Sequence, residues 1–543
     1  MNTSFITKDQ LRKDNITQIS KWVVASLLIF TILEAAYYPE GENLYGCLTF
    51  IIAWAILYTF VFRVKGSERN KCLLPFLALL ALGLSFFWLP LIVTFIEGKP
   101  LTFNFENSYQ TFTLQLLNLI MLTAAYQLCL RVYHQENVIQ QLWAKLGYFT
   151  TPSDLQIWVM GLIGLISFIL IIMVQGTDDA QPENMGFIGH LLMVTRTFSY
   201  FPFLILFKEQ YSNDRRRKNY KVPLFIYFCI MILLGITTGK RTTIFGPVVT
   251  MVICYLLPAF TQNKRVFSTR NTIIILIGLY LVTGPVADFA AAMALGRDNS
   301  MRTSGSQTFA NVWRIYNDKE LLHTLYQYAL TYSDNGGNND SGWSEYYVDN
   351  ILLDRFCNIR VCDATIYYAN KLGYDNPRMH EYFNNGLLYL LPTPILNILG
   401  VHVNKFEGQY TPGDLMSTEG LNLREQYYGY RVAGDVGVGL YLWGYMYYIY
   451  AFFIYVALFY FLSTKVHVGY NNSVTLPLPE MCGIYTVFMT FNNSTGIVGV
   501  VEKLLRTGWQ AIVVYCIIYY FIRILTRPFQ EGEVRYDKKY KIK

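Results

Sequence analysis

The sequence predicts an all-α polytopic membrane protein, with about twelve transmembrane helices and one large, mostly helical loop outside the cytoplasm between the ninth and tenth. Three observations carry this. Of 543 residues, 53% are hydrophobic and 15% are charged, against about a quarter charged in a soluble globular chain. Apolar runs of span length recur from end to end. One long segment, from about Gly296 to Arg431, interrupts them.

The runs lie near 22–38, 46–64, 73–97, 111–130, 155–174, 187–207, 222–238, 242–260, 271–292, 434–462, 478–500 and 508–525. The first lacks a small-residue cleavage site and reads as a retained span, not a signal peptide. The chain therefore divides into 1–295 with nine spans, a lid at 296–433, three more spans at 434–526, and a basic tail at 527–543. No internal repeat is visible.

Charge sets the orientation. Lys8, Arg12, Lys13 and Lys21 precede the first span, and the loops after even-numbered spans hold Arg63, Lys65, Arg69, Lys71, Arg131, Lys145, Arg215, Arg216, Arg217, Lys218, Lys264, Arg265 and Arg270. The opposite loops hold Glu40, Glu42, Asp178, Asp179 and Glu183. The positive-inside rule then predicts both termini in the cytoplasm and the lid outside it. The net charge of +7 follows from these loops, so it does not argue for nucleic acid.

Against that orientation some cations stand on the wrong side. Lys240 and Arg241 occupy a short outer turn after Gly239, Arg297 and Arg302 open the lid, and Lys503 and Arg506 fall in the last outer turn. Arg196 falls within a span, where a cation costs several kcal/mol and marks function by default. Such a ring suits an anion at the outer face. The bland alternative is that these side chains snorkel to headgroups or pair with Glu34, Asp288 or Glu502. The eleventh span carries Thr490, Asn492, Asn493, Ser494 and Thr495. Lipid offers these side chains no partners, so they face protein or a wet cavity.

The lid of roughly 140 residues is far longer than a connector needs. Its Tyr, Trp, Leu and Ile can bury a core. Gln307–Leu330 and Glu345–Leu372 read as helices, and Asn376-Pro377 starts a third element that Pro392 and Pro394 break. On a helix, Arg360 and Asp363 are i, i+3 neighbours, and Arg424 and Arg431 share a face. Thr411-Pro412-Gly413-Asp414 and Ser417–Gly420 read as turns. Of nine Cys, Cys357 and Cys362 alone lie in the lid; they could pair outside the cytoplasm, though not on one continuous helix. The six His are scattered, with no metal-ligand spacing.

These features together resemble the Wzy-type O-antigen and exopolysaccharide repeat-unit polymerases, with their relatives the O-antigen ligases. The resemblance rests on Gly239-Lys240-Arg241, on the late outer loop with Leu391-Pro392-Thr393-Pro394 and Thr411-Pro412-Gly413-Asp414, and on Gly434-Asp435 entering a Gly-spaced span; it covers roughly 190–460. The family's acidic-x-Tyr before that span is absent here, since Asp435 stands without the Tyr. The resemblance implies a glycosyltransferase of the bacterial plasma membrane with no cofactor and no metal. Donor and acceptor are polyprenyl-diphosphate-linked oligosaccharides in the membrane lipid, and a chain-length regulator protein is a partner.

That chemistry asks for cations on a diphosphate leaving group and for a base on the acceptor hydroxyl. The candidate diphosphate ligands are Arg196, Lys240, Arg241, Arg297, Arg355, Arg360, Arg424 and Arg431. The candidate bases are His380, Asp414 and Asp435, with Glu381 beside them; each could instead be a surface or capping residue. A ligase, a transporter or flippase, and a membrane acyltransferase are the alternatives. The nine-plus-three division and the lack of paired broken spans count against a transporter. No His-Asp or Ser-His arrangement supports an acyltransferase.

Overall fold

The computed structural model describes residues 15–529, apart from 176–185, 213–218, 239–240, 263–276, 279, 282, 299–304, 335–342, 392, 402–409, 423–430, 470–472 and 492–495. Among them the only strands are a two-residue antiparallel pair, His467–Val468 with Val474–Thr475. Everything else regular is helix. Nine helices among the described residues are long and apolar enough to cross a membrane.

Before the lid come α1 (Asn15–Tyr37), α2 (Gly41–Leu57), α3 (Leu73–Phe87), α4 (Ser108–Val132), α5 (Asp154–Gln175), α6 (Gly186–Arg196), α7 (Lys221–Thr238), α8 (Arg241–Thr261) and α9 (Pro285–Asp298). Helix α3 is buried along almost its whole length and is the centre of this half. Helix α6 runs on through short 3-10 and α turns to Gln210, because Pro202 cannot continue a regular ladder. The expected ninth span, 271–292, lies partly outside the described residues, and α9 is its far part.

The lid departs from its predicted helices where local caps win. Helices α10 (Gly305–Asn317) and α11 (Lys319–Asp334) are separate, because the Asp318 carboxylate accepts the Leu321 N–H at 2.9 Å and starts a new helix. The expected helix from Glu345 is not continuous either. Residues 343–350 are non-helical, and α12 (Ile351–Asp354) and α13 (Ile359–Leu372) follow. The cause is tertiary. Glu97 accepts the Asp349 and Asn350 N–H groups at 2.8 and 3.2 Å, Lys99 Nζ lies 2.9 Å from Asp349 Oδ1, and Asn350 caps α12. Helix α14 (Pro377–Tyr389) starts at the Asn376 cap as predicted, and Thr393–Ile398 forms a short helix beyond its end. Thr411–Asp414 is not a free turn. It is the capping box of α15 (Pro412–Gly420), which also takes in Ser417–Gly420. Cys357 and Cys362 are free thiols.

Helix α13 locks the lid to the spans. Asp363 accepts the Glu106 and Asn107 N–H groups at 2.6 and 3.0 Å and the Thr111 hydroxyl at 2.8 Å, so it caps α4 from outside. Its other neighbour is α16 (Asp435–Trp443). A Cβ at Gly434 would stand 2.7 Å from Cys362 Sγ, and one at Gly437 would stand 2.6 Å from the Thr365 carbonyl carbon. The glycine spacing is what lets these two helices touch.

Two expected spans are not single rods. The apolar stretch Asp435–Ser463 breaks at Gly444, whose φ is 55°. Helix α17 (Tyr447–Ser463) then folds back on α16, so that the Tyr455 hydroxyl donates to Asp435. The expected eleventh span is three short helices, α18 (Leu478–Cys482), α19 (Ile484–Phe488) and α20 (Gly496–Glu502), before α21 (Gly508–Thr526). Glu480 is 3.0 Å from Lys465, just past the end of α17, and a Cβ at Gly508 would lie 2.7 Å from the Phe461 ring at that same end. Between these points Phe491 packs on Tyr455, the middle residue of α17, at 5.5 Å between ring centres. The segment therefore reaches half-way along α17 and returns. Lys503, expected in an outer turn, instead lies in electrostatic reach of Lys465 and Glu480.

Candidate functional site

Arg196 ends α6, with its guanidinium 4.7 Å from the centre of the Phe168 ring. One turn on, Tyr200 lies in electrostatic reach of Arg196 and of Tyr485 on α19. The Tyr200 hydroxyl rests against α8, where a Cβ at Gly246 would meet it at 2.7 Å. Tyr485 in turn lies in reach of Arg355, which follows α12 directly. Arg355 and Arg431 both reach Glu345. Electrostatic reach thus links Arg196, Tyr200, Tyr485, Arg355, Glu345 and Arg431 pair by pair. Span, returning segment and lid each contribute to this linkage.

Glu345 is fixed from two sides. Its Oε1 accepts the Trp343 indole N–H at 3.1 Å and the Val432 N–H at 2.9 Å. Burial pushes its carboxyl above the usual range; the hydrogen bonds from Trp343 and Val432 and the charges of Arg355 and Arg431 oppose this. Asp354 is pushed up further, to about 7, by burial first, with the charges of Glu345 and Glu97 acting in the same sense and Arg355 and the Val348 N–H against it. A carboxyl poised there can take a proton at neutral pH and give it back. Lys99 fixes the approach to this pair. Burial opposes its charge, yet Asp349, Tyr346 and Glu97 hold its ammonium above the usual range.

The predicted diphosphate ligands separate. Arg196, Arg355 and Arg431 belong to these linked side chains. Arg360 does not: it is buried and sits 2.8 Å from Asp363, so its charge neutralises the α4 cap. Arg241 opens α8 five residues before Gly246, and Arg297 lies in α9. Lys240 and Arg424 lie outside the described residues.

The predicted bases separate too. Asp414 is fully buried; its oxygens accept the Thr411 and Arg431 N–H groups at 3.1 Å each, and the Arg431 guanidinium stands 3.7 Å away. It holds α15 and the backbone of Arg431 in place. His380 Nε2 lies 2.7 Å from Asp375 on the lid surface. Asp435 is buried within its span against Tyr455. Asp354 and Glu345 were not among the candidates. The Asp354-Arg355 pair was visible in the sequence, but nothing local shows that α12 ends there or that Glu97 comes up beside it.

No group of three or more His, Cys, Asp or Glu among the described residues could hold a metal ion. No family model matches this chain, and no curated protein or solved structure matches it.

Proposed function

We propose that this protein is a membrane glycosyltransferase. It polymerises polyprenyl-diphosphate-linked oligosaccharide repeat units at the outer face of a bacterial plasma membrane, with the N-terminus in the cytoplasm. What supports the reading is the electrostatic linkage of Arg196 to Tyr200, of Tyr200 to Tyr485 and of Tyr485 to Arg355, which Asp354 directly precedes in the chain. Two guanidiniums and two phenols suit a diphosphate, whose charge grows as the donor bond breaks.

Each residue then has a step. The Asp354 carboxylate takes the acceptor hydroxyl proton. The acceptor oxygen forms a bond to the anomeric carbon, and the bond from that carbon to the phosphate oxygen breaks. The lipid diphosphate leaves with the electron pair, held by Arg196 and Arg355 and, once bound, by Arg241 from the head of α8. The Glu345 carboxylate attracts Arg355, and Arg431 acts on the same carboxylate. A chain-length regulator is the partner this reading asks for.

The test is the purified protein in lipid nanodiscs with a lipid-linked repeat unit, read as a polymer ladder. Wild type extends the ladder, and Arg355→Ala at equal protein level does not. A full ladder from Arg355→Ala ends the proposal. Transfer to a different lipid-linked acceptor, without a ladder, points to a ligase. One observation favours a carrier as the second reading: the breaks at Gly444 and between α18, α19 and α20 are discontinuities of the kind transporters use. Movement of labelled lipid-linked glycan across proteoliposomes without new glycosidic bonds would select it.

A further inference from the structure

Asp435 takes no part in the steps above, yet it is an acid inside an apolar stretch of chain. Its exposure is 7%. Helix α13 packs beside it, with Cys362 facing it and Thr365 against Gly434 and Gly437; α17 brings Tyr447 and Tyr455, and Phe491 packs behind Tyr455. The titratable groups facing it are Cys362, Tyr447 and Tyr455. Asp363, one residue beyond Cys362, turns the other way to Arg360 and α4. Among the described residues no Lys or Arg acts on the Asp435 carboxyl.

Two features oppose each other at this carboxyl. The Tyr455 hydroxyl donates to it, and it stands in the first turn of α16, where helix N–H groups favour an anion. Burial without a cation favours the neutral acid. Glu480 carries a paired cation, Lys465 at 3.0 Å, whereas among the described residues none acts on Asp435. A buried acid held by one phenol and by no cation is a different device, and ionisable groups inside spans mark proton paths and binding sites.

We propose that Asp435 is a proton-exchange site built into the fold-back of α16 on α17. It takes one proton from water to become a neutral carboxyl and returns that proton as a carboxylate, with Tyr455 as the donor that holds the charged form. The site does not depend on the transferase reading. It sits where lid, span and returning segment meet, so its charge changes the packing of all three.

The experiment is a pH-difference infrared spectrum of the full-length protein in nanodiscs, read at the carbonyl stretch of protonated carboxyls. Wild type gains such a band on acidification. The expected result is that Asp435→Glu moves the band and Asp435→Asn removes it. Tyr455→Phe weakens the hold on the carboxylate, so its half-titration moves up by about one to two pH units. A spectrum that Asp435→Glu leaves unchanged overturns the proposal, because the group is then fixed in one form. A band lost at constant pH on adding sodium, but not potassium, also overturns it and assigns the site to a metal cation.

Discussion

The Arg360 guanidinium lies 2.8 Å from the Asp363 carboxylate, and both side chains are buried. The pair closes the end of α4 and belongs to the joint between lid and spans. Removing one partner of a buried pair leaves the other uncompensated, at about 3–5 kcal/mol. Arg360→Met and Asp363→Asn should therefore lower the unfolding temperature and the amount of folded protein. Turnover per folded molecule should stay near wild type. A selective loss of turnover with normal stability would return Arg360 to the substrate.

Asp354, at about 7, gives the reaction a pH dependence. The base must be ionised, so the rate should rise as pH increases through about 7 and then level off. Asp354→Asn should lose roughly 10²–10⁴-fold. The stability sign runs the other way. Because the folded pKa is raised above the ordinary 3.8, the folded state holds this proton longer than the unfolded chain. Stability from this group is full below the unfolded value, falls as pH rises between the two, and stays reduced above about 7. Thermal scans should thus show Asp354→Asn gaining on wild type as the buffer becomes more alkaline.

Arginine forks and lysine point charges differ on a diphosphate. Arg355→Lys and Arg241→Lys keep charge and insertion. If these residues clamp the leaving group, each loses much of the activity, with about 2.7–4 kcal/mol of transition-state stabilisation at stake per donor. Polymer ladders at matched protein level read this directly. Side chains that only reach for headgroups would be served equally well by lysine.

Lys99 holds the segment that leads into α12, through Asp349, Glu97 and the Tyr346 hydroxyl at 2.9, 3.1 and 3.0 Å. Lys99→Met leaves Glu97 and Asp349 facing each other. Loss of such bonds costs about 1–3 kcal/mol, so amide exchange across 346–354 should speed up by roughly 5–150-fold. Equal exchange in the variant would mean that the backbone bonds to Glu97 suffice alone.

Sequence by itself determined that this is a helical membrane protein. Span-length apolar runs can satisfy their backbone in lipid only as helices, and most of the runs read from composition reappear as helices within a few residues. It also determined the Arg360–Asp363 neighbour pair and the Asn376-Pro377 start, because spacing and capping are local. Tertiary structure alone decided that Asp435 folds back onto Tyr455 and that the stretch from Leu478 to Glu502 returns to its starting end. Apolar content is the same in a rod and in a hairpin, so hydropathy cannot tell them apart. It alone brought Arg196, 159 residues away in sequence, into pairwise electrostatic linkage with Arg355 through Tyr200 and Tyr485. It alone raised Asp354, because that shift comes from burial and from Glu345 and Glu97, which only the folded lid places beside it.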